Sequence, residues 1–274
     1  MTIKLVALDL DGTTLNNDRV ISERTRKAFS EADARGVNIV IATGRPFSAL
    51  PKDVFEIDAI RYVLTSNGAS ITDLRENRTF YENCLSPAAV ENAVALLRTH
   101  PYIIECFIKG TAYIEKWYYE QVERTHESFK SVSYILETRN PIDGIYDFML
   151  ENKNHIENIN VNFEDVSEKP AMKEKLLRLP ETTITSSFPH NLEIGGATTS
   201  KAQALSEMGR LLGITAGEMM AAGDSPNDIA MLKAVGFPVA VGNAEDEVKA
   251  AARYVAPPNY EDGVAEAIEK FVLV

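Results

Sequence analysis

The sequence predicts an α/β fold: a Rossmann-like, doubly wound parallel sheet with an inserted α+β cap. Three observations predict it. Short apolar runs ending in glycine or polar tips alternate with helical patterns up to residue 84 and again from residue 190. The runs are apolar throughout, as in strands buried on both faces. Between them, over residues 85–189, that rhythm gives way to clustered aromatics and mixed helix and strand patterns. The expected division is therefore a core of residues 1–84 and 190–274, with residues 85–189 as the insert.

The first third reads as strand, helix, strand, helix, strand. The apolar run Leu5–Leu8 leads into Asp9 and Asp11, which strand alternation would point the same way, and then into Gly12, Thr13 and Thr14. Ser22 caps a helix that runs to about Arg35, with Ala28, Phe29 and Ala32 inward and Gly36 as its stop. Val37–Ala42 is a second buried strand. Its tip, Thr43-Gly44-Arg45-Pro46, joins a hydroxyl, a glycine and a helix-starting proline, an arrangement suited either to binding an anion or simply to capping the next helix. Tyr62–Ser66 is a third strand, and Asn67-Gly68 turns the chain into Ala69–Thr72.

In the middle, Ser86-Pro87 opens a helix with Val90, Ala93, Val94 and Leu97 at helical spacing. Phe148-Met149-Leu150 and Ile159-Asn160-Val161 read as strands, Pro170–Leu179 as a helix and Thr182–Ser186 as a strand. Tyr102, Phe107, Tyr113, Trp117, Tyr118 and Tyr119 read as core packing rather than as a pocket lining. The four histidines are scattered without metal-ligand spacing, and His190 reads as a surface or hinge residue.

The last third returns to the core pattern. Ser200-Lys201 opens a helix with Ala202, Leu205, Met208 and Leu212 on one face and Gly213 as its stop. A lysine at a helix start opposes the helix dipole, so Lys201 is either exposed or has an anion to meet. A capping box, Thr215 to Glu218, precedes the apolar strand Met219–Ala222. In Gly223-Asp224-Ser225-Pro226-Asn227-Asp228, Ser225 caps and Pro226 takes the first helical position. Capping explains Asp228 in the first turn, but not Asp224 at the strand tip. Val239–Val241 and a helix over Ala265–Phe271 close the chain.

Composition limits the function classes. The 274 residues are 45% hydrophobic and 25% charged, as in an ordinary globular protein. The net charge of −12 argues against a nucleic-acid or anionic-membrane binder, yet permits a locally positive site for a small anion. Cys84 and Cys106 read as free buried thiols of a reducing compartment. MTIKLVALDLD places acids where a secretory leader has an unbroken apolar core, and no stretch reaches the roughly 20 apolar residues of a membrane span. A cytoplasmic protein without an obligate protein partner is the expectation.

Polar groups therefore mark four strand or helix ends: Asp9 with Asp11, Thr43, Asp224 with Asp228, and Lys201. Ligands of open α/β sheets bind beyond the carboxyl ends of the strands. Acids for a hard cation such as Mg²⁺, together with a lysine, a hydroxyl and backbone N–H groups for an anion, describe a phosphate-plus-metal site.

LDLDGTTL from Leu8, NIVIATGR from Asn38, TSNGA from Thr65, the lysine of TTSKAQAL and GDSPNDIAML from Gly223 resemble, in order, motifs of the haloacid dehalogenase (HAD) superfamily. More narrowly, they resemble its subfamily IIB, the Cof-type sugar phosphatases that include the YidA-like enzymes. The resemblance implies a Mg²⁺-dependent phosphatase acting on a small phosphorylated metabolite, its cap selecting the substrate. Asp9 matches the nucleophile that becomes an aspartyl-phosphate, and Asp11 the general acid/base. Gly12, Thr43, Gly44, Lys201 and Asn227 match phosphate- or substrate-binding positions. Asp9, Asp224 and the backbone carbonyl of Asp11 match metal ligands, with Asp228 a supporting acid. Two positions depart from the branch: Thr14 stands where Leu is frequent, and Ala202 where Gly commonly follows the lysine, neither expected to act through its side chain. A phosphomutase using the same intermediate and a non-catalytic sugar-phosphate sensor are the alternatives.

Overall fold

The computed structural model describes residues 2–274, which form two compact units. The first comprises Met1–Gly44, Pro51–Tyr81 and Ser200–Val274; the second comprises Arg45–Leu50 and Glu82–Thr199. In chain order the strands are β1 Leu5–Leu8, β2 Asn38–Ala42, β3 Ile60–Thr65, β4 Ser70–Asp73, β5 Arg78–Glu82, β6 Ile103–Ile108 and β7 Thr111–Glu115. There follow β8 Arg139–Ile142, β9 Ile156–Asn162, β10 Thr182–Thr185, β11 Asn191–Gly196, β12 Met219–Gly223, β13 Phe237–Ala240 and β14 Tyr254–Val255.

The first unit is built on a sheet of order β14-β13-β12-β1-β2-β3-β4-β5. It is parallel from β14 to β3 and turns antiparallel at β4. β1 lies inside the sheet, and Leu5, Val6, Ala7 and Leu8 are completely buried. Its register pairs Leu8 with Ala222 of β12 and with Ile41 of β2, so the residues just past these strands emerge at one edge. β2 and β12 flank β1 and belong to crossovers on opposite sides, which is the switch point where open α/β sheets hold ligands. The Ser22 cap is present, its hydroxyl accepting from the Thr25 N–H, and the helix runs over Glu23–Ala34.

The second unit has its own sheet, β10-β11-β9-β6-β7-β8, antiparallel except for β7 with β8. Helices Pro87–Leu97, Ile145–Glu151 and Lys169–Leu176 share a core with it through Val90, Val94, Leu97, Met149, Val161 and Leu176. The expected strand at Phe148-Met149-Leu150 is part of the helix Ile145–Glu151. A three-residue apolar run cannot distinguish the two, and Met149 alone of the three is fully buried, as on one helix face. The expected join at residue 190 also moves. β11 pairs with β9 and β10, so the chain leaves the second unit after Thr199. β11 is only partly apolar, with Asn191 and Glu193 buried on it, and so did not read as a strand.

Trp117 is 55% exposed and therefore not core, whereas Tyr118 packs with Val122 and Ile135. His190 is exposed. Cys84 and Cys106 are free, and burial raises both thiols, Cys84 to about 12, which keeps them protonated and unreactive. Among the described residues, no helix is long and apolar enough to cross a membrane.

One buried charge cluster stabilises the second unit. Glu105 of β6, completely buried, accepts from Arg139 and from Lys130, the latter at 2.7 Å. Burial alone would raise the Glu105 carboxyl, but the two cations prevail and hold it near pKa 2. The unfolded chain then binds this proton more readily than the folded one. The cluster's stabilisation is present above the ordinary carboxylate range and is lost as pH falls through about 2. Glu105→Gln leaves Arg139 buried without its counter-charge and is expected to cost about 3–5 kcal/mol. Urea unfolding followed by circular dichroism checks this, and the gap between wild type and variant is expected to narrow as the solution is acidified below the ordinary carboxylate range.

Candidate active site

The strand tips of the first unit deliver their side chains to one place. β1 ends at Leu8, and the Asp9 N–H continues the ladder to the Ala222 carbonyl at 3.0 Å. Beyond the strand the backbone stays extended at Asp9 and at Asp11 (φ −79°, ψ 121°) and turns left-handed at Gly12. Asp9 is 6% exposed, whereas Asp11 is half-buried. Gly12 has φ +79°, and a Cβ there would lie 2.6 Å from Asp224 Oδ2, so this turn approaches β12 only with glycine.

Lys201 organises the carboxylates. It is 1% exposed, and Nζ donates to Asp9 Oδ1 at 2.5 Å and to Asp228 Oδ1 at 2.7 Å. The reading as an exposed lysine is therefore overturned: the anions it meets are carboxylates of its own chain. Asp228 is completely buried, and its other oxygen accepts the backbone N–H groups of Asp224 at 3.0 Å and Ser225 at 3.1 Å. Asp228 thus both completes the capping box and seats Lys201. Asp224 accepts from the Thr13 hydroxyl at 2.8 Å and the Ser225 hydroxyl at 3.0 Å.

Among the described residues, Asp9, Asp224 and Asp228 each offer an oxygen within 4.8 Å of the others. The Asp11 carboxylate is not part of this cluster, so any ligation by Asp11 would fall to its backbone. With all three acids ionised, a single lysine leaves two negative charges uncompensated. The Asp9 carboxyl responds by rising well above its usual range, through burial first and then through Asp228 and Asp224, against the opposing pull of Lys201. Asp224 rises as well, again chiefly through burial and Asp228. Lys201, which burial alone would lower, is raised by Asp228 and Asp9 and stays charged. An all-oxygen donor set with a double negative excess fits a hard divalent cation of the Mg²⁺ kind.

The anion side is built beside it. Thr43, 2% exposed, continues past β2, with its N–H donating to the Leu64 carbonyl at 2.8 Å. Gly44 adjoins Asn67, whose Oδ1 would be 3.1 Å from an added Cβ. Asn227 donates through Nδ2 to Asn67 Oδ1 at 3.2 Å. All the site residues expected from sequence therefore lie in the first unit.

Other contributors carried little sequence signal. Thr14, set aside as chemically silent, donates its hydroxyl to the Asp9 carbonyl at 2.5 Å and fixes the peptide behind that carboxylate. Thr13 holds Asp224, and Asn243 donates to the Gly12 carbonyl at 2.7 Å. Each is a short polar residue in a turn, where a capping or solvated role is the default reading.

Comparison with known proteins now decides the family. The profile of the haloacid dehalogenase-like hydrolases matches residues 6–268. The chain belongs to this family. It is 33% identical over 274 residues to a Bacillus subtilis protein named 5-amino-6-(5-phospho-D-ribitylamino)uracil phosphatase YcsE, covering 99% of this chain and 96% of that one. Among solved structures, a haloacid dehalogenase-like hydrolase from B. subtilis superposes with a TM-score of 0.86 at 28% identity, covering 98% of this chain and all of the other. The HAD subclass IIB sugar phosphatase BT4131 gives 0.81 at 25% identity, covering 98% of each chain. This HAD-family chain is a phosphoric monoester hydrolase, with the α/β core and separate α+β unit expected of it.

The raised carboxyls set a pH dependence with a definite sign. Asp9 and Asp224 bind protons more tightly folded than unfolded, so the cation-free protein loses stability as pH rises through their folded values. A cation that prefers the ionised pair offsets that loss. The Mg²⁺-induced rise in thermal unfolding midpoint is expected to be larger at about pH 8 than at about pH 5, and an equal rise at both contradicts this charge arrangement.

Proposed function

We propose that this hydrolase is a Mg²⁺-dependent phosphatase of small phosphorylated sugars or polyols, acting through an aspartyl-phosphate on Asp9. The observation that carries the reading is Asp9 itself: a buried carboxylate with one oxygen held by Lys201, set among acids that call for a cation. The substrate class is supported by the relatives, one named as a phosphatase of a phosphorylated ribityl compound and another as a sugar phosphatase.

Asp9, Asp224 and the Asp11 carbonyl would hold the metal, which supplies charge neutralisation between phosphate and carboxylate. Asp228, with both oxygens engaged in the fold, acts on the site by seating Lys201. The phosphate would rest against Thr43, the backbone of Gly12 and Gly44, Lys201 and the Asn227 amide. Asp9 attacks phosphorus through its free oxygen, and the bond from phosphorus to the substrate oxygen breaks as Asp11 donates its proton to the leaving alkoxide. Asp11, now ionised, takes a proton from water as that water attacks phosphorus, releasing phosphate and restoring Asp9. The partial exposure of Asp11 suits a group that must reach both a leaving group and a water.

Phosphate release from a panel of sugar and polyol phosphates tests the proposal. Release is expected to require Mg²⁺, to stop on chelation and to fall at least about a thousandfold in Asp9→Asn without loss of fold. Undiminished turnover in that variant refutes the nucleophile. Transfer to added sugar acceptors in place of release identifies a mutase, and ligand-induced stabilisation without turnover identifies a sensor.

A further inference from the structure

The turn after β3 has a geometry that its sequence does not require. Ser66, Asn67 and Gly68 have φ of +52°, +57° and +90°, three successive residues in the left-handed region. Asn-Gly accepts such angles readily, but Ser66 does not. The turn is also buried, with Ser66 completely inaccessible and Asn67 5% exposed. Strained backbone inside a core persists only where its surroundings fix it.

Those surroundings are the anion side of the site. The Asn67 N–H donates to the Thr43 carbonyl at 3.0 Å, tying the turn to the tip of β2. Its Oδ1 accepts from Asn227 Nδ2 at 3.2 Å and stands where a side chain on Gly44 would press against it. One residue on, a Cβ at Gly68 would lie only 2.3 Å from the Ser200 carbonyl, so the turn abuts the residue before Lys201. Three separate segments, Thr43-Gly44, Ser200-Lys201 and Asn227, thus meet one left-handed turn. Among the described residues the Asn227 amide oxygen is buried without a partner, and the bond from its nitrogen to Asn67 is what orients the amide.

We infer that Asn67 is a positioning residue for phosphate. Its carboxamide sets the orientation of the Asn227 amide, and its left-handed backbone holds the Thr43 corner and the start of the Lys201 helix in register. The inference rests on the phosphate-site reading above and extends it to a residue that touches no reacting atom.

Asn67→Gly isolates the carboxamide, because glycine keeps the left-handed backbone without strain. Binding of orthovanadate, a phosphate mimic, is measured by calorimetry with Mg²⁺ present, for wild type, Asn67→Gly, Asn227→Ala and the double variant. Asn67→Gly is expected to keep a near-wild-type unfolding midpoint and to weaken orthovanadate about tenfold, the scale of one misdirected hydrogen bond to an anion. The double variant is expected to bind no more weakly than Asn227→Ala, because both changes remove the same directed contact. Unchanged affinity in Asn67→Gly, or losses that simply add, overturns the inference. Wild-type protein that binds orthovanadate yet releases phosphate from no ester refutes the phosphatase reading while the coupling still decides Asn67. Wild-type protein that does not bind it overturns both.

Discussion

The structure of the first unit depends on one buried ammonium. Lys201 is removed from water at a helix start, where the dipole opposes it, and only Asp9 and Asp228 make that tolerable. Asp9 follows β1 and Asp228 lies in the helical turn after the neighbouring β12, so the sheet order and register are what allow the pairing to form. The close approaches follow from the same constraint. A side chain at Gly12 would strike Asp224, and one at Gly223 would meet Asp228 Cβ at 2.5 Å. Two glycines therefore set how tightly three acids can gather about one lysine.

A fold optimised for stability alone would not gather them. Like charges at the end of a buried strand raise one another's proton affinity, and Asp9 and Asp224 both bear that cost. The proposed mechanism gives a reason to keep it. A nucleophilic carboxylate has to stay ionised beside an incoming phosphate, and a site already short of positive charge is one that takes up a divalent cation. The second unit shows the contrast. Glu105 is as deeply buried as Asp9, yet Arg139 and Lys130 satisfy it and its carboxyl falls instead of rising. Balanced charge there serves the fold, and in the proposed mechanism the unbalanced charge of the first unit serves chemistry.

The central strands of the first unit, β1, β2 and β12, were legible because they are mostly apolar and lead into polar tips, whereas β5, Arg78–Glu82, is polar at both ends and carried no such signal. Leu5–Leu8 before Asp9 and Met219–Ala222 before Asp224 could be placed without coordinates. The second unit was less legible for the converse reason. β11 carries Asn191, Glu193 and two glycines, and it gains strand character only by pairing with β9 and β10. Phe148–Leu150 lies on a helix too short to show its period. In the site, charged side chains announced themselves, while Thr14 and Asn67 did not. The Thr14 hydroxyl acts through the shape of its own turn, on a carbonyl five residues back, and the left-handed turn at Asn67 meets loops distant in sequence, and neither is encoded in a local pattern. Asp11 was legible as a residue, although β1 ends before it and its carboxylate stands outside the group formed by Asp9, Asp224 and Asp228.

The central claim is that Asp9 receives the phosphoryl group. Acid quenching of the enzyme during turnover of a phosphorylated sugar or polyol, followed by peptide mapping by mass spectrometry, tests it most directly. The account predicts a phosphorylated peptide bearing the modification on Asp9, with its level raised in an Asp11→Asn variant that forms the intermediate on an activated ester but hydrolyses it slowly. Steady phosphate release with no phosphorylated peptide, or with the phosphoryl group on another side chain, would contradict it.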